Sequence, residues 1–152
     1  MTFALDMKAF AKKTDARLNA VVKVIVLDVA KSLIEMSPVG DADYWKSPPP
    51  KGYVGGRFKG SWMFETGQAP VGDPGTIDAS GSTSLNRVLV GLSVGRAAGK
   101  MHYIANNVPY AMRLENGGPG GSGWSRQAPQ GMAGLTAMKF GSIVRNAARG
   151  MA

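Results

Sequence analysis

A long stretch of helical periodicity opens the chain. Between Asp6 and Met36 there is neither glycine nor proline, and Pro38 closes the stretch because it restricts the backbone of the residue before it. Apolar residues recur every three or four positions along one face: Leu18, Val22, Ile25, Val29, Leu33 and Met36. This spacing predicts a helix of roughly 45 Å whose stripe packs on the core. We assign residues 1–36 to it.

The same helix carries a second apolar row on its opposite face. The row comprises Ala20, Val24, Leu27 and Ile34, with Lys31 filling its gap. Two apolar faces on one helix predict burial on both sides. The second face packs either on another element of the same chain or on a neighbouring subunit, and the pattern alone does not decide between them.

Residues 37–60 are predicted to form a loop, because Pro48–Pro50 and then Gly52, Gly55 and Gly56 exclude a continuous helix or a central strand. Ser61–Thr66 then alternates aromatic and other residues, which is typical of a strand. Residues 67–81 are a second turn-rich connection. The glycines and prolines of the chain are concentrated in such connections.

The pattern from Leu85 to Val94 fits both a strand and a helix. The capping residues Ser82–Ser84 before it and Gly95 after it favour the helix. Met101–Ala105 predicts a short strand, and Pro109 opens a short helical turn that runs to Glu115.

These elements predict an α+β fold. Residues 61–117 form the sheet core, residues 118–130 form a glycine-rich connection, and residues 131–149 form a C-terminal helix. We expect the two long helices to pack on a small, mostly antiparallel sheet, with long Gly/Pro-rich loops between the elements.

Composition excludes several classes of site. The chain has 152 residues, no cysteine and one histidine, so it has no disulfide, no thiolate metal site and no multi-histidine zinc site. The longest apolar stretch, Ala20–Ala30, is shorter than the roughly 20 residues that a membrane span needs. The N-terminus lacks the apolar segment of a signal peptide, which predicts a protein made in the cytoplasm.

The net charge of +8 is unevenly distributed. Residues 79–152 contain eight Lys and Arg but a single acidic residue, Glu115. Such a field attracts a phosphate backbone in a sequence-independent way, although no nucleic-acid-binding motif accompanies it. A solvated basic surface, or one matched to an acidic partner, explains the charge equally well.

Candidate catalytic chemistry is sparse. Gly95–Lys100 has three residues between its glycines and no hydroxyl after its lysine, so it lacks the spacing of a phosphate-binding loop. No G-x-S-x-G turn accompanies His102, and a lone histidine in a strand is typical of a packed or surface residue. The acidic residues Asp73 and Asp78 fit solvated turn positions.

Three short motifs point to a family. Ser37-Pro38-Val39 ends the long helix, and Gly56–Trp62 reads Gly-Arg-Phe-Lys-Gly-Ser-Trp. The third motif contains Asn107, Tyr110, Ala111, Glu115 and Gly117, and Trp124–Met132 leads into the last helix. In order and spacing, these motifs resemble those of the head–tail joining and tail-completion proteins of long-tailed double-stranded DNA bacteriophages, also called tail-terminator or neck proteins.

The resemblance implies a structural protein of the virion. Residues 1–152 would form a single tail-completion-like domain with no catalytic residue, no cofactor and no metal. It would assemble in the host cytoplasm as a ring, expected to be a hexamer, at the top of the tail. Its partners would be the tail tube protein, the head connector or stopper protein, and passing double-stranded DNA, with no membrane. The alternatives are a small basic DNA-binding protein and a small hydrolase built around His102.

The resemblance also implies structural roles for particular residues. These motif residues are Gly56, Arg57, Trp62, Asn107, Tyr110, Glu115, Gly117 and Trp124. We expect an ion pair between Arg57 and Glu115, because both belong to motifs. The chain departs from the family pattern by an insertion, Gly40–Gly55, which either reaches a neighbouring subunit or forms a surface loop.

Two further sets of residues are predicted to contact partners. Val24, Leu27 and Ile34, on the second apolar row, are candidates for the interface between subunits. Arg145 and Arg149, one turn apart on the last helix, are candidates for contacts with DNA in the channel or with an acidic partner.

Overall fold

The computed structural model of the protein describes residues 3–45, 47–117 and 128–151, and it shows an α+β fold. The elements in chain order are α1 (Phe3–Met36), a 3₁₀ turn (Ala42–Tyr44), α2 (Arg57–Gly60), β1 (Met63–Thr66), α3 (Ser82–Ser93), β2 (His102–Ala105), α4 (Ala111–Asn116) and α5 (Ala133–Arg149).

The long N-terminal helix is confirmed. It has 34 residues and is therefore about 50 Å long. Its C-terminal half packs antiparallel to α5: the Ser32 and Thr136 hydroxyls are 2.9 Å apart near one end, and Arg17 donates to the Met151 carbonyl near the other. The N-terminal half extends beyond this contact, and every described side chain from Ala4 to Leu18 is exposed.

Both apolar faces of α1 are used within the chain. Val29 and Leu33 line a groove against α5, whereas Ile34 lies against the start of α3, where a side chain on Gly81 would meet its Cγ2 atom. Ile34 is only 4% exposed, so its assignment to a subunit interface is wrong. Leu27 also packs against the core, and Val24 is half-buried. Only part of each side chain is therefore available for the predicted interface between subunits.

On the first apolar face of α1, Leu18 is more exposed than the sequence predicts. The sequence pattern places it on the core stripe, but it is 52% exposed. The apolar stripe of α1 continues beyond the point where α5 ends. Leu18 therefore lies on the face that periodicity predicts to be buried, but α5 does not cover it.

The sheet has two antiparallel strands. Met63 pairs with Ala105 and Thr66 with His102. Helix α3 packs across β1, where Phe64 lies over Gly91: a Cβ atom on that glycine would be 2.4 Å from the ring. The helical interpretation of Leu85–Val94 is therefore confirmed, and both strands lie within the predicted ranges.

The core joins these layers. It contains buried side chains from α1, α2, α3 and the start of α5, among them Ala30, Leu33, Phe58, Val88, Leu92 and Met132. One boundary prediction is wrong: Arg57–Gly60 is a helical turn, although residues 37–60 were predicted as loop. The glycine-rich connection from 118 to 127, with Trp124, lies outside the described residues.

Candidate functional site

Trp62 connects four segments of the chain. Its indole Nε1 donates to Ser37 Oγ at 2.8 Å, and Ser37 in turn donates to the Leu33 carbonyl at 2.7 Å. The Trp62 backbone N–H donates to Ser84 Oγ at 3.2 Å, and Ser84 donates to the Lys59 carbonyl at 2.9 Å. Because Trp62 is only 7% exposed, its polar atom needs such a partner. The structure therefore brings the first and second motifs together.

Gly56 is required by two features of its surroundings. Its φ of +104° lies in the left-handed region, and a Cβ atom would be 2.5 Å from the backbone nitrogen of Ala79. Its N–H donates to the Val39 carbonyl at 2.5 Å, and its carbonyl accepts from Gly60 at 2.8 Å. The glycine thus starts α2 and closes the base of the Gly40–Gly55 insertion.

The insertion contains an aromatic pair of its own. The rings of Trp45 and Tyr53 are 4.6 Å apart, and the Tyr53 hydroxyl donates to the Gly40 carbonyl at 3.3 Å. Both rings are more than one-third exposed. The insertion therefore folds back on its own base, and its contact with a neighbouring subunit stays a prediction.

The third motif lies beside the second. The rings of Phe58 and Tyr110 are 6.2 Å apart, and Asn106 Nδ2 donates to the Phe58 carbonyl at 2.7 Å. Asn107 Nδ2 instead donates to the Pro70 carbonyl at 3.0 Å. Asn106 was not predicted as a motif residue, and its position next to Asn107 in the sequence carried no signal for this contact.

The expected Arg57–Glu115 ion pair is wrong. Arg57 Nη2 lies 2.7 Å from Asp73 Oδ2, and this hydrogen bond raises the pKa of Arg57. The N–H of Gly75 and then Arg57 lower the pKa of Asp73. Membership of motifs did not predict contact, because Asp73 lies in a connection that sequence reasoning treated as solvated.

Glu115 caps the last helix instead. Its carboxylate accepts from the backbone N–H groups of Met132, Ala133 and Gly134 at 2.8 to 2.9 Å. Burial raises the pKa of Glu115, but these three hydrogen bonds outweigh burial and the pKa is lowered. They satisfy N–H groups that the first turn of a helix leaves without partners, so α4 is tied to α5.

Asp78 has a similar structural role at the start of α3. Its carboxylate accepts from the Ser80 hydroxyl at 2.6 Å, from the Ser80 N–H at 2.9 Å and from the Thr83 N–H at 2.7 Å. The Ser80 side chain and the Thr83 backbone lower the pKa of Asp78 strongly. The serine and threonine residues that follow Asp78 are the sequence signal that could have identified this cap.

Arg87, one of the cations in the basic C-terminal half, stabilises the fold. Its guanidinium donates to the carbonyls of Gly60 and Trp62 at 2.7 and 3.0 Å and to the Thr76 hydroxyl at 2.5 Å. Arg96 is also occupied, because it pairs with Asp15. Besides the paired Arg96, the exposed cations of the described C-terminal half are Lys100, Arg113, Lys139, Arg145 and Arg149.

His102 is held between two elements. Its Nε2 lies 3.0 Å from the Ala97 carbonyl, its Nδ1 lies 2.9 Å from the Thr66 hydroxyl, and its ring stacks on Phe64. Because a carbonyl only accepts, Nε2 carries the proton in this arrangement. The imidazole joins the loop before β2 to β1.

Arg145 and Arg149 lie near the C-terminus of α5 and are exposed. Arg145 Nη2 donates to Ser142 Oγ at 3.1 Å within the same helix. Within the described parts of the chain, no group of three or more His, Asp or Glu side chains is arranged to hold a metal ion. No helix among those residues is both long and apolar enough to cross a membrane.

Gly117, the last motif residue that the structure describes, ends α4 with a φ of +82°. Such a conformation favours glycine. The described motif residues are thus hydrogen-bonding, packing and turn positions of one framework. No family model, no curated protein and no solved structure matches this chain.

Proposed function

We propose that this protein is a structural subunit of the head–tail junction of a long-tailed bacteriophage. In this proposal it assembles as a ring, expected to contain six copies, ends the growth of the tail tube and joins the tube to the head connector. One face of the ring contacts the tube and the other contacts the connector. Double-stranded DNA passes through the centre.

The observation that supports the proposal is the convergence of the three motifs. Trp62 binds Ser37 through its indole N–H, and Phe58 of the second motif packs beside Tyr110 of the third. Glu115, also from the third motif, holds the start of α5. Residues separated by about 80 positions thus form one framework, as expected if the motifs belong to a common fold rather than matching by chance.

Exposed apolar side chains provide a second line of support. Along α1, Met7, Phe10 and Leu18 lie on one side of the helix and are each at least half exposed, and Phe140 on α5 is also half exposed. Exposed apolar surfaces of this kind are typical of assembly contacts. A subunit whose function is to join other proteins is expected to carry them.

Electron microscopy of phage particles that lack the protein tests the proposal. We expect filled heads beside detached, overlong or unjoined tails, and supplying the wild-type chain in trans should restore joined particles. Normally joined particles without the protein would contradict the proposal.

A small DNA-binding protein is the second candidate. The observation in its favour is that Lys139, Arg145 and Arg149 of α5 are exposed and that this helix contains no acidic residue. Such a protein binds duplex DNA in isolation, with an affinity that falls steeply as salt rises. If the protein functions by binding DNA, the double variant Arg145→Glu with Arg149→Glu should lose this binding. If it is a ring subunit, the wild-type protein should already bind DNA only weakly.

A further inference from the structure

The first part of α1 forms an arm, defined here as residues 3–14. Arg96 donates to the Asp15 carboxylate, and Arg17 donates to the Met151 carbonyl. Helix α1 therefore contacts the rest of the protein just after the arm. Met7 is 50% exposed and Phe10 is 66% exposed. Because α1 contains neither glycine nor proline, the arm continues the straight helix and does not fold back onto its own body.

The arm has the spacing of a short coiled coil. Met7, Phe10 and Thr14 follow one another at intervals of three and four residues, which places them on one face. Asp6 and Lys13 are seven residues apart and therefore lie on the same flank of that face, roughly 10 Å from each other along the axis. The other flank carries the small residues Ala4 and Ala11.

These positions fit a second copy of the arm in one orientation. In an antiparallel pair that sets Met7 against Phe10 of the second copy, Asp6 meets Lys13 of the second copy and Lys13 meets Asp6. On the other flank, Ala11 meets Ala4 of the second copy, so the helices can approach closely. A parallel pair sets Asp6 beside Ala11 and forms neither ion pair.

We propose that the arms of two copies of this protein pair in this antiparallel register. The apolar face supplies the contact, and the two equivalent Asp6–Lys13 pairs select the orientation and the register. The contact is two-fold and buries less surface than a stable dimer interface does, so the pairing is weak and depends on concentration.

This contact is separate from the ring contacts of the proposed function. A two-fold contact closes on a pair, whereas ring contacts are head-to-tail. If the protein forms rings, the arms join one ring to another. Pairing therefore doubles the mass whether the pairing unit is a single chain or a ring. A protein with unpaired arms can still form a junction ring, and a paired protein need not be a phage protein.

Sedimentation of the full chain over a range of concentrations up to several hundred micromolar tests the pairing. We expect the wild type to double in mass as the concentration rises. Asp6→Lys and Lys13→Asp each set like charges against each other at both ion-pair positions, and each should raise the dissociation constant about tenfold or more. An equimolar mixture of the two variants should pair as well as the wild type, because opposite charges then meet at both positions.

Matched controls separate pairing from general charge and folding effects. Lys12→Asp changes the net charge as Lys13→Asp does, but Lys12 lies away from the apolar face and the variant should pair normally. Phe10→Ala should abolish pairing, whereas Leu5→Ala, an exposed apolar change on the far side of the arm, should not. Circular dichroism establishes that each variant is folded.

Three results would overturn the proposal. The wild type stays at one mass at every concentration, or Phe10→Ala pairs as the wild type does, or the mixture of the two charge variants fails to regain the pairing that each has lost.

Discussion

At the scale of single residues, the motif side chains stabilise the protein by satisfying polar groups in places that water does not reach. The Trp62 indole donates to Ser37, whose hydroxyl donates to the end of α1. Leaving such a buried group without a partner costs about 1–3 kcal/mol, more than a surface contact provides. The Ser37 hydroxyl supplies the partner that the buried Trp62 N–H needs.

Replacing this tryptophan should therefore destabilise the protein. Trp62→Phe removes the indole donor, leaves the Ser37 hydroxyl with one partner fewer and leaves a small cavity. We expect a loss of about 2–4 kcal/mol in the free energy of unfolding, measured by urea denaturation followed by circular dichroism.

The chain offers a control for the Trp62 substitution in another tryptophan. Trp45 is 41% exposed and its ring lies beside Tyr53, so Trp45→Phe should change the free energy of unfolding by less than about 0.5 kcal/mol. Equal losses for the two variants would contradict the role given to Trp62.

At the scale of elements, helix ends and close helix contacts position the parts of the fold. The first turns of two helices are capped by carboxylates of residues outside the helix: Asp78 caps α3, and Glu115 caps α5. The contact of α3 with the sheet depends on a glycine, because the Phe64 ring occupies the space where a Cβ atom of Gly91 would lie. The Glu115 cap and the contact of Gly91 with Phe64 each tie a helix to a segment that is distant in sequence, whereas Asp78 caps the helix that follows it directly.

Two glycine substitutions should therefore have opposite effects. Gly91→Ala places a methyl group against Phe64 and should lower the free energy of unfolding by about 1–3 kcal/mol, despite the better helix propensity of alanine. Gly141→Ala, in α5, meets only the end of the flexible Arg145 side chain at 3.5 Å and should raise it by about 0.5–1 kcal/mol. Thermal or urea denaturation measures both, and stabilisation by both would show that α3 does not lie tightly on Phe64.

At the scale of the whole molecule, carboxylates with lowered pKa values couple stability to pH, among them Asp73, Asp78 and Glu115. The pKa values of Asp73, Asp78 and Glu115 are lowered from their ordinary values of 3.8, 3.8 and 4.5. A carboxylate with a lowered pKa contributes stability that is present above its ordinary pKa and lost as the pH falls through its folded-state value. The three groups hold the 67–81 connection, α3 and α5, so acid loosens much of the molecule.

The free energy of unfolding should therefore be steady from neutral pH down to about 4.5 and decrease below it. Asp78→Asn should flatten this decrease, because the variant no longer gains a proton at that site on unfolding, and should reduce stability at neutral pH. Urea denaturation at a series of pH values measures both effects. An equally steep decrease in the variant would contradict the role of Asp78.

The sequence by itself determined the local elements of this protein. Periodicity predicted α1 and α5, capping residues favoured the helix at α3, and alternation predicted β1. The α+β class followed, because these patterns reflect interactions within a few residues along the chain. Only the tertiary structure decided the partners. It buried Ile34, left Leu18 exposed and paired Arg57 with Asp73 instead of Glu115. Burial and charge pairing depend on which distant segment arrives at a given side chain, and no local pattern encodes that.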